Sequence, residues 1–164
     1  MERPKLQLTL SPLDKMVMIL GWIALVALWW LTISHYRSLP EVIPTHYNAM
    51  GKIDAYGSKR TVFILPAIGT ILFVVIAILN RFPQVFNYPT EITADNALRQ
   101  YTNATRLLRL LQLMLMLVFL FIQFKTMKAT VDGASGLGVW FLPTVLVFIF
   151  VPVAYFVVRS FKAK

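Results

Sequence analysis

The sequence predicts an all-α integral membrane protein, a bundle of four transmembrane helices with a short structured loop between the first two. Apolar residues make up 58% of the 164 residues, against about 45–50% in soluble domains. Charged residues make up only 14%, and the mean hydropathy is +0.68. A soluble domain could not bury so much apolar surface, so composition excludes a soluble globular domain, a disordered chain and an ordinary nucleic-acid-binding domain.

Four apolar runs are each long enough to cross a hydrocarbon layer about 30 Å thick. They cover residues 16–33, 61–79, 107–124 and 137–158. Because backbone polar groups in lipid must be paired within a segment, each run is expected to be a helix. The first run is longer than the about 7–15 apolar residues of a signal-peptide core, so we expect it to be retained. Residues 1–164 are therefore expected to form one membrane domain.

The distribution of basic residues predicts the orientation. The two terminal tails and the segment between the second and third spans together carry more Lys and Arg than the loops 34–60 and 125–136. The richer side is normally cytoplasmic. Both termini are therefore expected inside and the two loops outside. The net charge of +9 then reflects membrane topology, and no nucleic-acid partner is expected.

The inner segment between spans two and three is expected to contain an amphipathic helix over residues 90–106, capped by Thr90 or Thr93. Three arginines lie near one another at helical spacing and form a candidate surface for a cytoplasmic partner: Arg99, Arg106 and Arg109. They either extend to lipid headgroups or bind an acidic protein. Gln112 and Gln123, inside span three, are expected to hydrogen-bond between helices.

The outer loop 34–60 is the unusual part of the chain, and it contains both histidines. Pro40 and Pro44 favour an extended backbone. Residues 48–51 read as a tight turn in which Gly51 has a positive φ. A short β-hairpin is therefore expected, followed by a second turn over residues 54–57 that leads into span two.

About twenty residues of this loop also carry a family resemblance. They are Leu39-Pro40, Ile43-Pro44-Thr45-His46-Tyr47-Asn48, Gly51, Asp54 and Tyr56-Gly57-Ser58-Lys59. This run resembles the signature of the SdpI-like family of bacterial membrane proteins, a domain of unknown function that includes the immunity protein against a sporulation-delaying toxin.

The resemblance implies a multi-pass protein of the bacterial cytoplasmic membrane. It implies a receptor or immunity protein that recognises a peptide toxin or a protein at the outer face and signals to a cytoplasmic regulator. The residues it marks as a candidate binding surface are Pro44, His46, Tyr47, Asn48, Gly51, Asp54, Tyr56, Gly57 and Lys59.

The residues themselves leave three interpretations of the loop open. In the first, the polar groups are structural, with Asn48 bonded to turn amides and His46 bonded to Asp54 or to a carbonyl. In the second, the tyrosines and basic residues contact a partner. In the third, His35, His46 and Asp54 bind a metal such as zinc.

Other function classes fit less well. Ionisable residues at membrane depth, which transporters usually carry, are represented only by Arg109. No Gly-x-Ser-x-Gly elbow, no paired carboxylates and no phosphate-binding glycine loop are present in the sequence. We therefore expect no enzyme activity and no cofactor. A passive channel or a lipid-handling subunit remains as an alternative to the receptor.

Overall fold

The computed structural model describes residues 3–133 and 136–162. Four long helices account for most of these residues: α1 (Pro12–His35), α2 (Ile64–Leu79), α3 (Ala97–Asp132) and α4 (Phe141–Lys162). Each helix, with the short turns that extend it, is long enough and apolar enough to cross a membrane. The predicted bundle of four helices able to span a membrane is thereby confirmed.

The helices alternate in direction along the chain. Arg106 in the first part of α3 bonds Asp14 at the start of α1, and Gln123 further along α3 bonds Thr32 near the end of α1. These contacts make α1 and α3 parallel. The bundle has an N-terminal end, where α1 and α3 begin, and a hairpin end, where they finish.

The third helix is the centre of the bundle. It has 36 residues and is therefore about 54 Å long, which exceeds the about 30 Å of a hydrocarbon core. It packs against each of the other three helices, whereas α4 lies at the edge with its Phe141 ring stacked on Phe121, 5.6 Å between centroids. Most of α4 is exposed, as expected for a helix that faces lipid.

The start of α3 agrees with one of the two expected caps. Thr93 and Asn96 form a capping box, in which each side chain accepts from the other residue's backbone N–H. The Thr93 carbonyl accepts from the Ala97 N–H at 3.0 Å, so residues 94–96 form a turn that leads into α3 at Ala97. The helix expected over residues 90–106 therefore starts later than predicted, and Thr90 does not cap it.

Polar side chains of α3 join the helices, as predicted for the two glutamines. The Gln112 side chain donates to the Phe73 carbonyl at 2.8 Å. The Gln123 side chain donates to Thr32 Oγ1 at 2.8 Å and to the Val62 carbonyl at 3.2 Å. Both glutamines are buried. Buried amides of this kind fix the relative positions of apolar helices, which otherwise have little to distinguish one packing from another.

A β-hairpin closes the far end of the bundle, as predicted. Strand β1 (Val42–Tyr47) pairs antiparallel with strand β2 (Ile53–Ser58), with Ile43 opposite Gly57. The second turn that we expected over residues 54–57 is therefore wrong. Pairing with β1 satisfies the backbone of these residues in extended form, and the chain turns later, through a 3₁₀ segment at Lys59–Phe63.

Two apolar clusters hold these parts together. One joins α1, α2 and α3 through Leu25, Phe73 and Met116. The other lies beneath the hairpin and is formed by Leu39, Ile43, Val62 and Met127. The second cluster connects the hairpin to the ends of the helices, so the hairpin is part of the packed fold.

Candidate functional site

The hairpin is fastened to the bundle by side chains that its strands point inward. Ile43 is only 1% exposed, and the Tyr47 hydroxyl hydrogen-bonds to Thr126 Oγ1 of α3 at 2.8 Å. Burial raises the pKa of the Tyr47 hydroxyl above its usual value, which keeps the group neutral and able to donate or accept. These contacts position the hairpin relative to α3.

The tip of the hairpin is built as the sequence predicted. Asn48 Oδ1 accepts from the backbone N–H groups of Met50, at 2.9 Å, and Lys52, at 3.1 Å. Gly51 has φ +70°, a value that favours glycine. The Gly51 carbonyl accepts from the Leu137 N–H at 2.7 Å, which ties the tip to the segment before α4.

The base of the hairpin is held by charge and by close packing. Lys59 Nζ lies 2.9 Å from Glu41 Oε1 and 5.4 Å from the centre of the Tyr36 ring. A Cβ added at Gly57 would lie 3.0 Å from Thr45 Cγ2, so the two strands approach closely there. Pro44 is buried. Six of the predicted binding residues therefore contribute to building the hairpin: Pro44, Tyr47, Asn48, Gly51, Gly57 and Lys59.

The other three predicted binding residues are exposed on the hairpin. His46 Nδ1 lies 2.6 Å from Asp54 Oδ1, with 68% and 39% of the two side chains exposed. Tyr56 is 64% exposed. Val42 and Met50, which sequence reasoning did not single out, are similarly exposed. We call these five residues the exposed hairpin set: Val42, His46, Met50, Asp54 and Tyr56.

The three predicted metal ligands are not brought together as a site. His35 ends α1, and its Nδ1 lies 3.0 Å from both the Leu31 carbonyl and Ser34 Oγ. His46 and Asp54 pair with each other. Across residues 3–133 and 136–162, no group of three or more His, Asp or Glu side chains could hold a metal ion.

The three arginines predicted as a partner surface also separate. Arg109 is only 8% exposed, and its Nη1 lies 3.5 Å from Asp14 Oδ1, so it does not belong to an exposed surface. Arg106 bonds the same carboxylate. Arg99 is exposed, beside a cavity of about 220 Å³ that Arg106 and Arg159 also line.

Sequence reasoning missed Asp14, which is the acidic centre of this cluster at the N-terminal end of the bundle. Its carboxylate accepts from the Ser11 backbone N–H at 2.9 Å and from the Ser11 hydroxyl at 2.7 Å. Ser11 in turn caps α1, in a capping box completed by Asp14. The Ser-x-x-Asp spacing before an apolar run was the signal that could have found this residue.

A first prediction concerns the anchor of the hairpin. Replacing Tyr47 by phenylalanine is expected to lower stability by about 1 kcal/mol, because it removes one partly buried hydrogen bond and leaves the ring packed. Thermal unfolding in detergent measures the change. Tyr56→Phe is the matched control, since the Tyr56 side chain is largely exposed. Equal melting temperatures for the two variants would contradict the anchoring role.

Comparison with known proteins places this hairpin in a family. The domain of unknown function DUF1648 matches residues 23–70, which run from within α1 through the hairpin into α2. An uncharacterized protein of Archaeoglobus fulgidus is 30% identical over 138 residues, which is 76% of this chain and 75% of that protein. No solved structure matches the chain. The chain thus belongs to the same family as this archaeal protein and carries the DUF1648 domain in its first two membrane helices and the hairpin between them.

Proposed function

We propose that this protein is a receptor-like or immunity-like membrane protein that recognises a peptide or protein with its hairpin. The proposal rests on the difference between structural and exposed residues within the hairpin. Six of the motif residues build the hairpin or fasten it to the bundle, while the side chains of His46, Asp54 and Tyr56 remain exposed. A rigid element that presents exposed side chains is suited to binding, because little conformational freedom is lost when a partner docks.

The exposed hairpin set has the chemistry of a contact surface. Tyr56 offers a large ring with few rotatable bonds, and aromatic residues are enriched where binding energy concentrates. Met50 adds an adaptable apolar contact. The exposed pair of His46 and Asp54 contributes little to stability in a solvated position. Lys52 and Arg60 are exposed nearby in the chain, which favours a partner with acidic or amphipathic character.

In the proposed orientation, the protein lies in the cytoplasmic membrane of a bacterium. The hairpin is on the outer side and both termini are in the cytoplasm. This orientation rests on the unequal distribution of Lys and Arg between the two sides and on the resemblance to the SdpI-like family. The long helix α3 would then connect the outer anchor at Thr126 with Arg106 at the inner end. We propose this helix as the route by which binding outside reaches a cytoplasmic partner at Arg99 and Arg106.

Photo-crosslinking from position 56 in native membranes tests the binding proposal. With p-benzoylphenylalanine at this position, we expect a discrete adduct with a peptide or protein. His46→Ala should weaken the adduct about tenfold, the effect of one lost charge-assisted contact, while membrane insertion is unchanged. The same crosslinker at Ile68, an exposed position of α2, is the control and should capture lipid.

The outcomes separate the interpretations. An adduct at position 56 that is absent at position 68 supports a receptor. Crosslinks from position 56 to lipid or to the protein's own chain alone, across growth conditions, would refute outer recognition and favour a structural hairpin. A further crosslinker at Leu98, which is exposed at the inner end, should capture a cytoplasmic partner if the signal crosses the membrane.

A further inference from the structure

A large cavity lies at the N-terminal end of the bundle, remote from the hairpin. Its volume is about 570 Å³, within the range of about 300–1,000 Å³ that is typical of ligand sites. It is bounded by the segment before α1, by α1, α2 and α3, and by the turn that follows α2. Its lining includes Leu6, Trp22, Phe73, Asn80, Arg81 and Arg109. Apolar walls with a few polar groups are the usual composition of such a site.

The buried arginine in this cavity shares its carboxylate partner with a second arginine, so the cluster carries excess positive charge. Among the described residues, Arg109 donates to Thr105 Oγ1 at 3.5 Å and lies 3.5 Å from Asp14 Oδ1. The Asp14 carboxylate is meanwhile occupied by shorter bonds from Ser11 and Arg106. A guanidinium has five N–H donors, and a buried charge is costly unless it is well paired. Arg109 therefore favours an anion in the cavity.

Two further residues of the cavity lining, Arg81 and Asn80, indicate which ligand the cavity favours. Arg81 also lines the cavity and brings a second positive charge. Asn80 lines it too, and its Oδ1 is buried with no hydrogen-bond partner among the described residues. An acceptor in this condition is satisfied by a hydroxyl or another donor on the ligand. The polar end of the cavity thus fits a group that combines an anionic oxygen with a hydroxyl.

The remaining walls and the opening fit a hydrocarbon chain. Met18 and Trp22 line the cavity and are exposed on α1, a helix apolar enough to span a membrane, so in a membrane this side of the cavity would be within reach of lipid. The segment before α1 forms another wall through Leu6 and Leu10. Arg3 holds this segment in place by donating to the Phe86 carbonyl at 2.6 Å.

We propose that this cavity binds an anionic phospholipid from the membrane leaflet at the N-terminal end of the bundle. The phosphate would lie against Arg81 and Arg109, a headgroup hydroxyl would reach Asn80, and an acyl chain would follow Trp22 and Phe73. Basic pockets between membrane helices bind anionic headgroups in this way, most often on the cytoplasmic side. A free phosphate has the same polar chemistry, but it leaves the apolar walls uncovered.

Fluorescence quenching by brominated lipid tests the proposal in the full-length protein. The chain is placed in vesicles that contain phosphatidylglycerol or phosphatidylcholine with brominated acyl chains. Tryptophan fluorescence is measured for the wild type and for Trp22→Phe. The quenching that is present in the wild type and absent in the variant is attributed to Trp22. We expect brominated phosphatidylglycerol to associate near Trp22 about tenfold more strongly than brominated phosphatidylcholine, as one charge-assisted contact implies.

Two variants should abolish this preference by different routes. Arg81→Gln removes a charge from the cavity, and Arg37→Gln, an exposed arginine at the hairpin end, is its control. Ala77→Phe fills the cavity that Ala77 lines without changing charge, and Ala67→Phe on the exposed side of the same helix is its control. The controls should keep the preference for phosphatidylglycerol.

Three results would overturn the proposal. The first is equal quenching by the two brominated lipids in the wild type, and the second is an unchanged preference in folded Ala77→Phe. The third is displacement of brominated phosphatidylglycerol by millimolar glycerol phosphate, which would make a soluble phosphate the ligand. Circular dichroism of each variant shows that it is folded before the lipids are compared.

Discussion

Replacing Asp14 by alanine is expected to destabilise the protein by about 3–5 kcal/mol, the usual effect of removing one partner from a buried ion pair. Asp14 is 5% exposed. Its loss would leave Arg109 buried without a carboxylate and Arg106 without its bonded partner. It would also remove half of the capping box that begins α1. Thermal and SDS-induced unfolding in detergent measure the change.

Two further variants show whether buried charge causes this effect. Asp54→Ala removes a carboxylate whose partner, His46, is exposed, and it is expected to change stability by less than about 1 kcal/mol. The double variant Asp14→Ala/Arg109→Leu removes the charge that would otherwise stay unpaired, so it should recover part of the loss. A single Asp14 variant as stable as Asp54→Ala would contradict the role given to this cluster.

The second large effect is expected at the tip of the hairpin. Gly51→Ala places a methyl group in a left-handed backbone conformation, which costs about 1–2 kcal/mol. The added Cβ would also collide with the backbone of Gly138, and overpacking of this kind costs a further about 1–3 kcal/mol. Backbone atoms cannot turn aside as a flexible side chain can. We expect the tip to separate from the segment before α4, with a lower melting temperature and faster proteolysis of the hairpin.

Gly133→Ala is the matched control for this variant. Gly133 follows α3 with φ +66°, but a Cβ added there would meet no atom of the described residues within 4 Å. It therefore carries the conformational cost without the collision. The difference between the two variants measures the contact between the hairpin tip and Gly138. Equal losses in both variants would show that this contact contributes nothing to stability.

The local part of the fold could be predicted from the sequence because its causes are local. Long apolar runs predict membrane helices, because a helix pairs all its backbone N–H and C=O groups within one segment, as lipid requires. The turn at Asn48 and Gly51 was likewise predicted from residue types with specific backbone preferences. The pairing of His46 with Asp54 was among the predicted alternatives. The imidazole of His46 and the carboxylate of Asp54 are natural hydrogen-bond partners. The hairpin that brings His46 Nδ1 within 2.6 Å of Asp54 Oδ1 was itself expected.

The extent of β2 was decided by a pairing that the local pattern does not reveal. Residues 54–57 look like a turn because they contain Asp and Gly. Their backbone is nevertheless extended, because β1 lies alongside them. The start of α3 is the opposite case, because Thr93 and Asn96 lie three residues apart and their reciprocal bonds form a local capping box.

The class of protein, a four-helix membrane bundle with a hairpin between its first two spans, follows from the order of residues. Which side chains are available to act follows only from how the helices pack together. Spacing along one helix grouped Arg109 with Arg99, but packing of α1 against α3 buries Arg109 beside Asp14, which is distant in the chain. Burial is a property of the assembled helices, and for this reason the cavity at the N-terminal end and the excess positive charge beside it could not be predicted from local patterns.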